Sequence, residues 1–93
     1  MSMVVTRRFV VIGHVQGVGF RMFAVDAARA EGLTGWVRNH IDGTVEVLAE
    51  GALEPLRRFE ARLRQGPSRS RIDRITVEDE TPSGHLSGFT IRG

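Results

Sequence analysis

Residues 13–21 read Gly13-His14-Val15-Gln16-Gly17-Val18-Gly19-Phe20-Arg21 and join an apolar run to an amphipathic one. Glycine tolerates φ > 0 and covers no neighbouring backbone, so Gly13, Gly17 and Gly19 allow several N–H donors to converge on one point. A helix beginning at Phe20 would aim its positive dipole end at the same place. Arg21 adds a permanent cation with a planar fork of donors, a shape suited to a phosphate. Each element asks for a small dianion. A plainer reading stays open beside it, in which the glycines only make a tight turn and Arg21 is a solvated residue at a helix start.

Asn39 is the second residue with chemical potential. On a strand it shares a face with Val37, which puts a polar amide at the edge of the core. There it either hydrogen-bonds into the adjoining turn or orients a water toward whatever the glycine loop holds. Thr44, across the hairpin, is placed to fix that amide. The remaining polar residues offer less. His14, His40 and His85 lack metal-ligand spacing, and the first two are expected to face solvent. Asp42 is explained by a turn, and Glu46 and Glu50 by the exposed face of a strand, so no carboxylate stands out as a general base. Other phosphate loops do not fit. A Walker A loop ends in Gly-Lys-Ser/Thr, whereas this one ends in Gly19-Phe20-Arg21 in a chain without lysine. A dinucleotide fingerprint needs glycine where Met22 stands.

The elements that position these residues follow from periodicity. Arg7–Ile12 reads as an inner strand, since Phe9-Val10-Val11-Ile12 is apolar on both faces. Phe20, Phe23, Ala24, Ala27 and Ala28 fall on one helical face, and Gly32 suits the end of that helix. Thr34–His40 and Thr44–Glu50 read as a hairpin. Keeping Val37 on the face of Val45 and Val47 requires an odd loop, met by Ile41-Asp42-Gly43 with Gly43 left-handed in a bulge. A second helix runs from about Leu53 to Gln65, with Pro55 in its first turn, Leu56, Phe59 and Leu63 as its stripe, and Gly66-Pro67 as its stop. Its alternating arginines and glutamates form a solvated face. Arg71–Glu80 is a fourth strand with Ile75 and Val77 inward, and Phe89–Ile91 a short last one. Trp36 is expected to pack on or beside the sheet. The order β-α-β-β-α-β plus a terminal strand predicts an α+β ferredoxin-like two-layer sandwich, an antiparallel sheet with two helices on one face.

Composition narrows the function classes. The 93 residues, 41% hydrophobic and 26% charged, suit one domain spanning 1–93 with one core. Net charge is only +2, although the sequence pI is about 10.9. Without Lys, Tyr or Cys, little charge is lost between His and Arg deprotonation, so the pI does not mark a nucleic-acid binder. The absence of Cys excludes disulfides, thiol catalysis and thiolate metal sites. No apolar run approaches the ~18 residues of a membrane span, and the expected residence is cytoplasmic.

The segments G-H-V-Q-G-V-G-F-R, G-L-T-G-W-V-R-N-H-I-D-G-T-V-E-V and F-T-I-R together resemble the acylphosphatase family over nearly the whole chain. The resemblance implies the same ferredoxin-like fold and hydrolysis of the carboxyl–phosphate bond of acyl phosphates. It matches Arg21 to the family's phosphate-binding arginine and Asn39 to the asparagine that positions the attacking water. The loop Val15, Gln16, Gly17, Val18, Gly19 and Phe20 matches the phosphate cradle, and Thr44 a supporting threonine. Position 14 varies within that loop, and a disulfide carried by some bacterial members is impossible here. No metal or cofactor is expected, and inorganic phosphate or sulfate should compete with substrate. The expected form is a monomer without nucleic-acid or membrane partners. Nothing in the pattern encloses an acyl group, so broad specificity is expected.

Three rivals share the fold. An RNA-recognition sheet would carry stacking aromatics on its third strand, where Val45-Glu46-Val47-Leu48 stands. A carbamoyl-phosphate-handling domain of larger hydrogenase-maturation proteins would be accompanied by zinc-finger cysteines. A non-catalytic anion- or acyl-phosphate-sensing module is the alternative that sequence leaves standing.

Overall fold

The computed structural model describes residues 3–93; residues 1 and 2, within the single-domain span read from sequence, lie outside the described residues. The elements are β1 (Val4–His14), α1 (Phe20–Ala30), β2 (Thr34–Asn39), β3 (Val45–Ala52), α2 (Leu53–Gln65), β4 (Arg71–Glu80) and β5 (Phe89–Ile91). They form a five-stranded sheet in the order β4-β1-β3-β2-β5. Alternation along the strands sorts the side chains: Phe9, Val47 and Val37 are register partners on one face, as are Val11, Val45 and Asn39 beside them. The helices cover that face. Phe20, Ala24, Ala27 and Ala28 of α1 and Leu56, Phe59 and Leu63 of α2 close a single core against it. Phe59 packs edge-on to both Phe9 and Phe89, a geometry that adds to its area burial. No helix of the described residues is long and apolar enough to cross a membrane.

Local signals explain the helix ends. The Leu33 N–H donates to the Ala28 carbonyl and the Gly32 N–H to that of Arg29, with Gly32 at φ 68°. This is a Schellman closure, which needs a left-handed residue. It turns α1 into β2 without a long connection, so Asn39 returns alongside the loop that precedes the helix.

The sheet is mixed, not purely antiparallel. β4 pairs antiparallel to β1, β1 to β3 and β3 to β2, but β5 runs parallel to β2. The reason is a crossing. The chain leaves β4 at one edge and enters β5 at the other, four strand spacings or roughly 19 Å away, which the connecting residues 81–88 can span. Reversal relative to β4 then forces the direction of β2.

The face without helices also departs from expectation. Glu46 and Glu50 were expected to be exposed, yet each is only 6% exposed. Arg8, Arg38 and His40 lie against Glu46: Arg38 Nε donates to its carboxylate at 2.9 Å, the His40 ring nitrogen lies 2.6 Å away, and Arg8 completes the cluster. His40 is therefore half-buried instead of solvent-facing. Trp36 packs on the same face with the guanidinium groups of Arg92, Arg38 and Arg8 at 4.7, 5.3 and 5.8 Å from its ring centroid. Long charged side chains laid over a bare sheet replace a second helical layer. Val77, inward by register, is 37% exposed because β4 is an edge strand.

Candidate active site

The loop between β1 and α1 is shorter than the glycine spacing suggested. Gly13 belongs to β1, at a register shift against β4. Its backbone packs on that of Arg71, where a Cβ would fall 2.1 Å from the carbonyl oxygen. It is a strand glycine and contributes nothing to an anion cradle. Gly17 and Gly19, at φ 74° and 79°, do shape the turn, and an added Cβ at either would meet no atom within 4 Å. Their requirement is conformational, not one of space.

The turn leaves its donors free. Among the described residues, nothing accepts from the backbone N–H groups of Gln16, Gly17, Val18 or Gly19. The first backbone bond of α1 runs from the Phe23 N–H to the Gly19 carbonyl at 3.0 Å, so the preceding N–H groups of its first turn have no intrahelical acceptor. Gly19 provides no side-chain cap and the first turn holds no acidic residue. The helix dipole and these donors are thus not neutralised from within. Arg21, exposed in that first turn, makes no ion pair with any described residue.

The opposite wall is the end of β2. Asn39 pairs with Val45 in register, on the face covered by the helices. Its side-chain Oδ1 is buried and has no hydrogen-bond partner among the described residues, a condition that costs about 1–3 kcal/mol unless something else donates to it. The hairpin beyond it has the expected odd loop. His40 N–H donates to Thr44 O at 2.9 Å and Gly43 N–H to His40 O at 3.1 Å, with Gly43 at φ 94°.

Two hairpin expectations change in detail. The Thr44 hydroxyl donates to Asp42 Oδ1 at 2.7 Å, and the Thr44 N–H to the same atom at 2.9 Å. Thr44 therefore braces the turn rather than the Asn39 amide. Those two bonds, and more weakly the nearby His40, hold the Asp42 carboxyl below its usual value of 3.8, because they favour the charged form. Gln16, read from sequence as part of the phosphate cradle, sends its side chain the other way. Its Nε2 donates to His40 O at 2.6 Å and Thr44 O at 3.0 Å.

Val15, Gly17, Gly19, Phe20, Arg21 and Asn39 line one pocket of about 190 Å³, together with Met22 and Ile91. Gln16, Val18 and Thr44 do not line it; Val18 packs on the core and the other two hold the hairpin. Met22 and Ile91 were not foreseen. Met22 carried no signal beyond its place next to Arg21, and Ile91 reaches the site only because β5 adds beside β2. No group of three or more His, Asp or Glu side chains that could hold a metal occurs among the described residues.

Comparison with known proteins converges on the same fold. The Acylphosphatase family model matches residues 7–91. The chain is 51% identical over 88 residues to an acylphosphatase of Koribacter versatilis, covering 95% of this chain and 80% of that one. The crystal structure of acylphosphatase from Bacillus subtilis superposes with a TM-score of 0.93 at 37% identity, over 98% of this chain and all of that one. Full-length HypF, solved in a phosphate- and nucleotide-bound form, contains a similar unit: TM-score 0.88 and 28% identity over this whole chain, but only 12% of that protein.

Proposed function

The chain belongs to the acylphosphatase family and hydrolyses acyl phosphates to a carboxylate and inorganic phosphate, and on that premise we propose that attack on phosphorus takes place between the 15–20 loop and the end of β2. One observation carries this reading: Gly17 and Gly19 with free backbone donors, Arg21 without an ion pair and Asn39 with a buried amide oxygen lacking a partner line one pocket. The loop N–H groups and Arg21 hold the non-bridging phosphate oxygens, and bind them more tightly as charge redistributes in the transition state. Asn39 Oδ1 accepts an O–H bond from water. That polarity suits a nucleophile, because it leaves the lone pair of the water free to point at phosphorus.

The chemistry asks for little more. The water oxygen forms a bond to phosphorus while the phosphorus–oxygen bond to the acyl group breaks, its electron pair leaving on the carboxylate. The conjugate acid of that carboxylate has a pKa near ~4, so no general acid is needed. The proton of the water passes to a phosphate oxygen. The transition state is loose and catalysis is mostly positioning and charge stabilisation, a task this residue set can perform without a metal or cofactor. Thr44 acts through the turn, and Gln16 by tying that turn to the loop. The enzyme works as a cytoplasmic monomer, with inorganic phosphate and sulfate competing for the loop.

The test is phosphate release from benzoyl phosphate in the presence of EDTA. Release that Arg21→Ala abolishes is the expected result. Release that requires an added divalent cation would overturn the metal-free mechanism, and no release from the folded protein would return the non-catalytic anion-sensing module.

A further inference from the structure

An acyl phosphate has two ends, and the pocket described above has chemistry for both. Gly17, Gly19, Arg21 and Asn39 form its polar side; Met22 and Ile91 lie beside them, 51% and 44% exposed. Exposed apolar side chains scattered singly need no explanation. Among the described residues the large exposed ones are Met3, Val4, Met22, Ile41, Val77 and Ile91, and Met22 and Ile91 alone of these line this pocket. Their convergence is not a by-product of local sequence. Met22 comes from the first turn of α1, immediately after Arg21. Ile91 comes from β5, where it is the register partner of Val37 and so shares the helix-covered face with Asn39, two residues farther along β2. Val15 and Phe20, the other apolar lining residues, are buried in the core and cannot respond to a ligand by being covered. Met22 and Ile91 can. β5 is an edge strand, so this side of the pocket opens to solvent and leaves room for a group of variable size.

We propose that Met22 and Ile91 form an apolar ledge for the acyl group, so that this enzyme prefers acyl phosphates with aromatic or extended aliphatic acyl groups over acetyl phosphate. The inference rests on the phosphate reading above and adds the substrate class. Among the described residues Arg21 is the only charged side chain lining the pocket, and it is occupied by the phosphate. An acyl group bearing a second charge therefore finds no partner on the ledge and loses hydration against it. An apolar group covers Met22 and Ile91 and gains in proportion to the area removed from water. The preference should be moderate, because a half-open ledge buries less than an enclosed pocket.

The experiment compares kcat/KM for benzoyl phosphate and acetyl phosphate in the wild type and in Met22→Ser, Ile91→Ser and the double variant, with inhibition by inorganic phosphate measured alongside. The expected result is a benzoyl-to-acetyl ratio that falls about fivefold to tenfold in the double variant, at or below the ~10-fold lower end of the range for one methylene in an enclosed pocket, because the ledge is half-open. Half-inhibition by phosphate should move less than twofold. Met22→Leu and Ile91→Val keep the apolar surface and should restore most of the ratio. A ratio unchanged in the double variant, or one that the conservative variants lower equally, overturns the ledge. If phosphate fails to compete with substrate in the wild type, the phosphate site itself is wrong and the ledge falls with it.

Discussion

The side-chain amide of Gln16 donates to the backbone carbonyl of His40 at 2.6 Å. The same nitrogen lies 3.0 Å from the Thr44 carbonyl, so one side chain of the 15–20 loop grips both ends of the turn that follows Asn39. Gln16 thus ties the loop before α1 to the hairpin that follows β2. Gln16→Ala orphans neither carbonyl, because Gly43 N–H still donates to His40 O and His40 N–H to Thr44 O. The expected stability loss is therefore limited to about 0.5–1.5 kcal/mol for each bond, measured by urea denaturation. Catalysis should suffer more than stability, with kcat falling further than phosphate affinity as Asn39 drifts from the loop. A variant with wild-type kcat would show that the tie has no catalytic consequence.

Arg21→Ala should nearly abolish turnover. It removes the one side-chain cation that lines the pocket among the described residues, and a charge-assisted contact is worth ~1.5–3 kcal/mol even before the transition state is considered. Arg21→Lys should recover little, since a point charge does not reproduce the planar fork. Phosphate provides a second readout. At ten times its dissociation constant it should stabilise the wild type by about 1.4 kcal/mol in thermal unfolding, and that increment should shrink in both variants. Equal phosphate stabilisation of wild type and Arg21→Ala would remove Arg21 from the site.

Asn39→Ala separates binding from chemistry. The loop and Arg21 remain, so phosphate inhibition should stay close to wild type. On the proposed mechanism the acceptor for the attacking water is lost, and kcat should fall by the ~10²-fold typical of removing one preorganised polar group. A change in kcat without a matching change in ground-state binding marks an interaction made chiefly in the transition state. Truncation also deletes the buried unpaired Oδ1, so stability should drop little. Collapse of phosphate affinity with kcat preserved would make Asn39 a binding residue instead.

Gly13 and Gly19 should respond to alanine for different reasons. At Gly19 the added methyl meets nothing, and only the left-handed backbone at φ 79° resists, which costs about 1–2 kcal/mol. At Gly13 the methyl would fall 2.1 Å from the Arg71 carbonyl oxygen, so β1 and β4 must separate locally. Gly13→Ala should be the more destabilising in urea, and Gly19→Ala the more damaging to phosphate inhibition. The reverse order in both measurements would contradict this division.

The loop, Arg21, Asn39 and the hairpin were legible in the sequence because their signals are local. Glycines at Gly17 and Gly19 mark backbone conformations that other residues resist, and parity around Ile41-Asp42-Gly43 settles which face Asn39 takes. The helical stripes at Phe20, Ala24, Leu56, Phe59 and Leu63 follow from a 3.6-residue period, and all are buried. What sequence could not decide depends on which strands become neighbours. The parallel pairing of β5 with β2, and with it the arrival of Ile91 beside Asn39, comes from a crossing between opposite edges of the sheet. Glu46 looks exposed by alternation alone, yet the long side chains of Arg8 and Arg38 bury it from neighbouring strands. Gln16 looks like one more loop residue until the hairpin folds within reach of its amide. Periodicity assigns a face to each residue, but only the assembled sheet assigns it a neighbour, because hydrogen bonds and contacts across strands join positions whose separation along the chain carries no pattern.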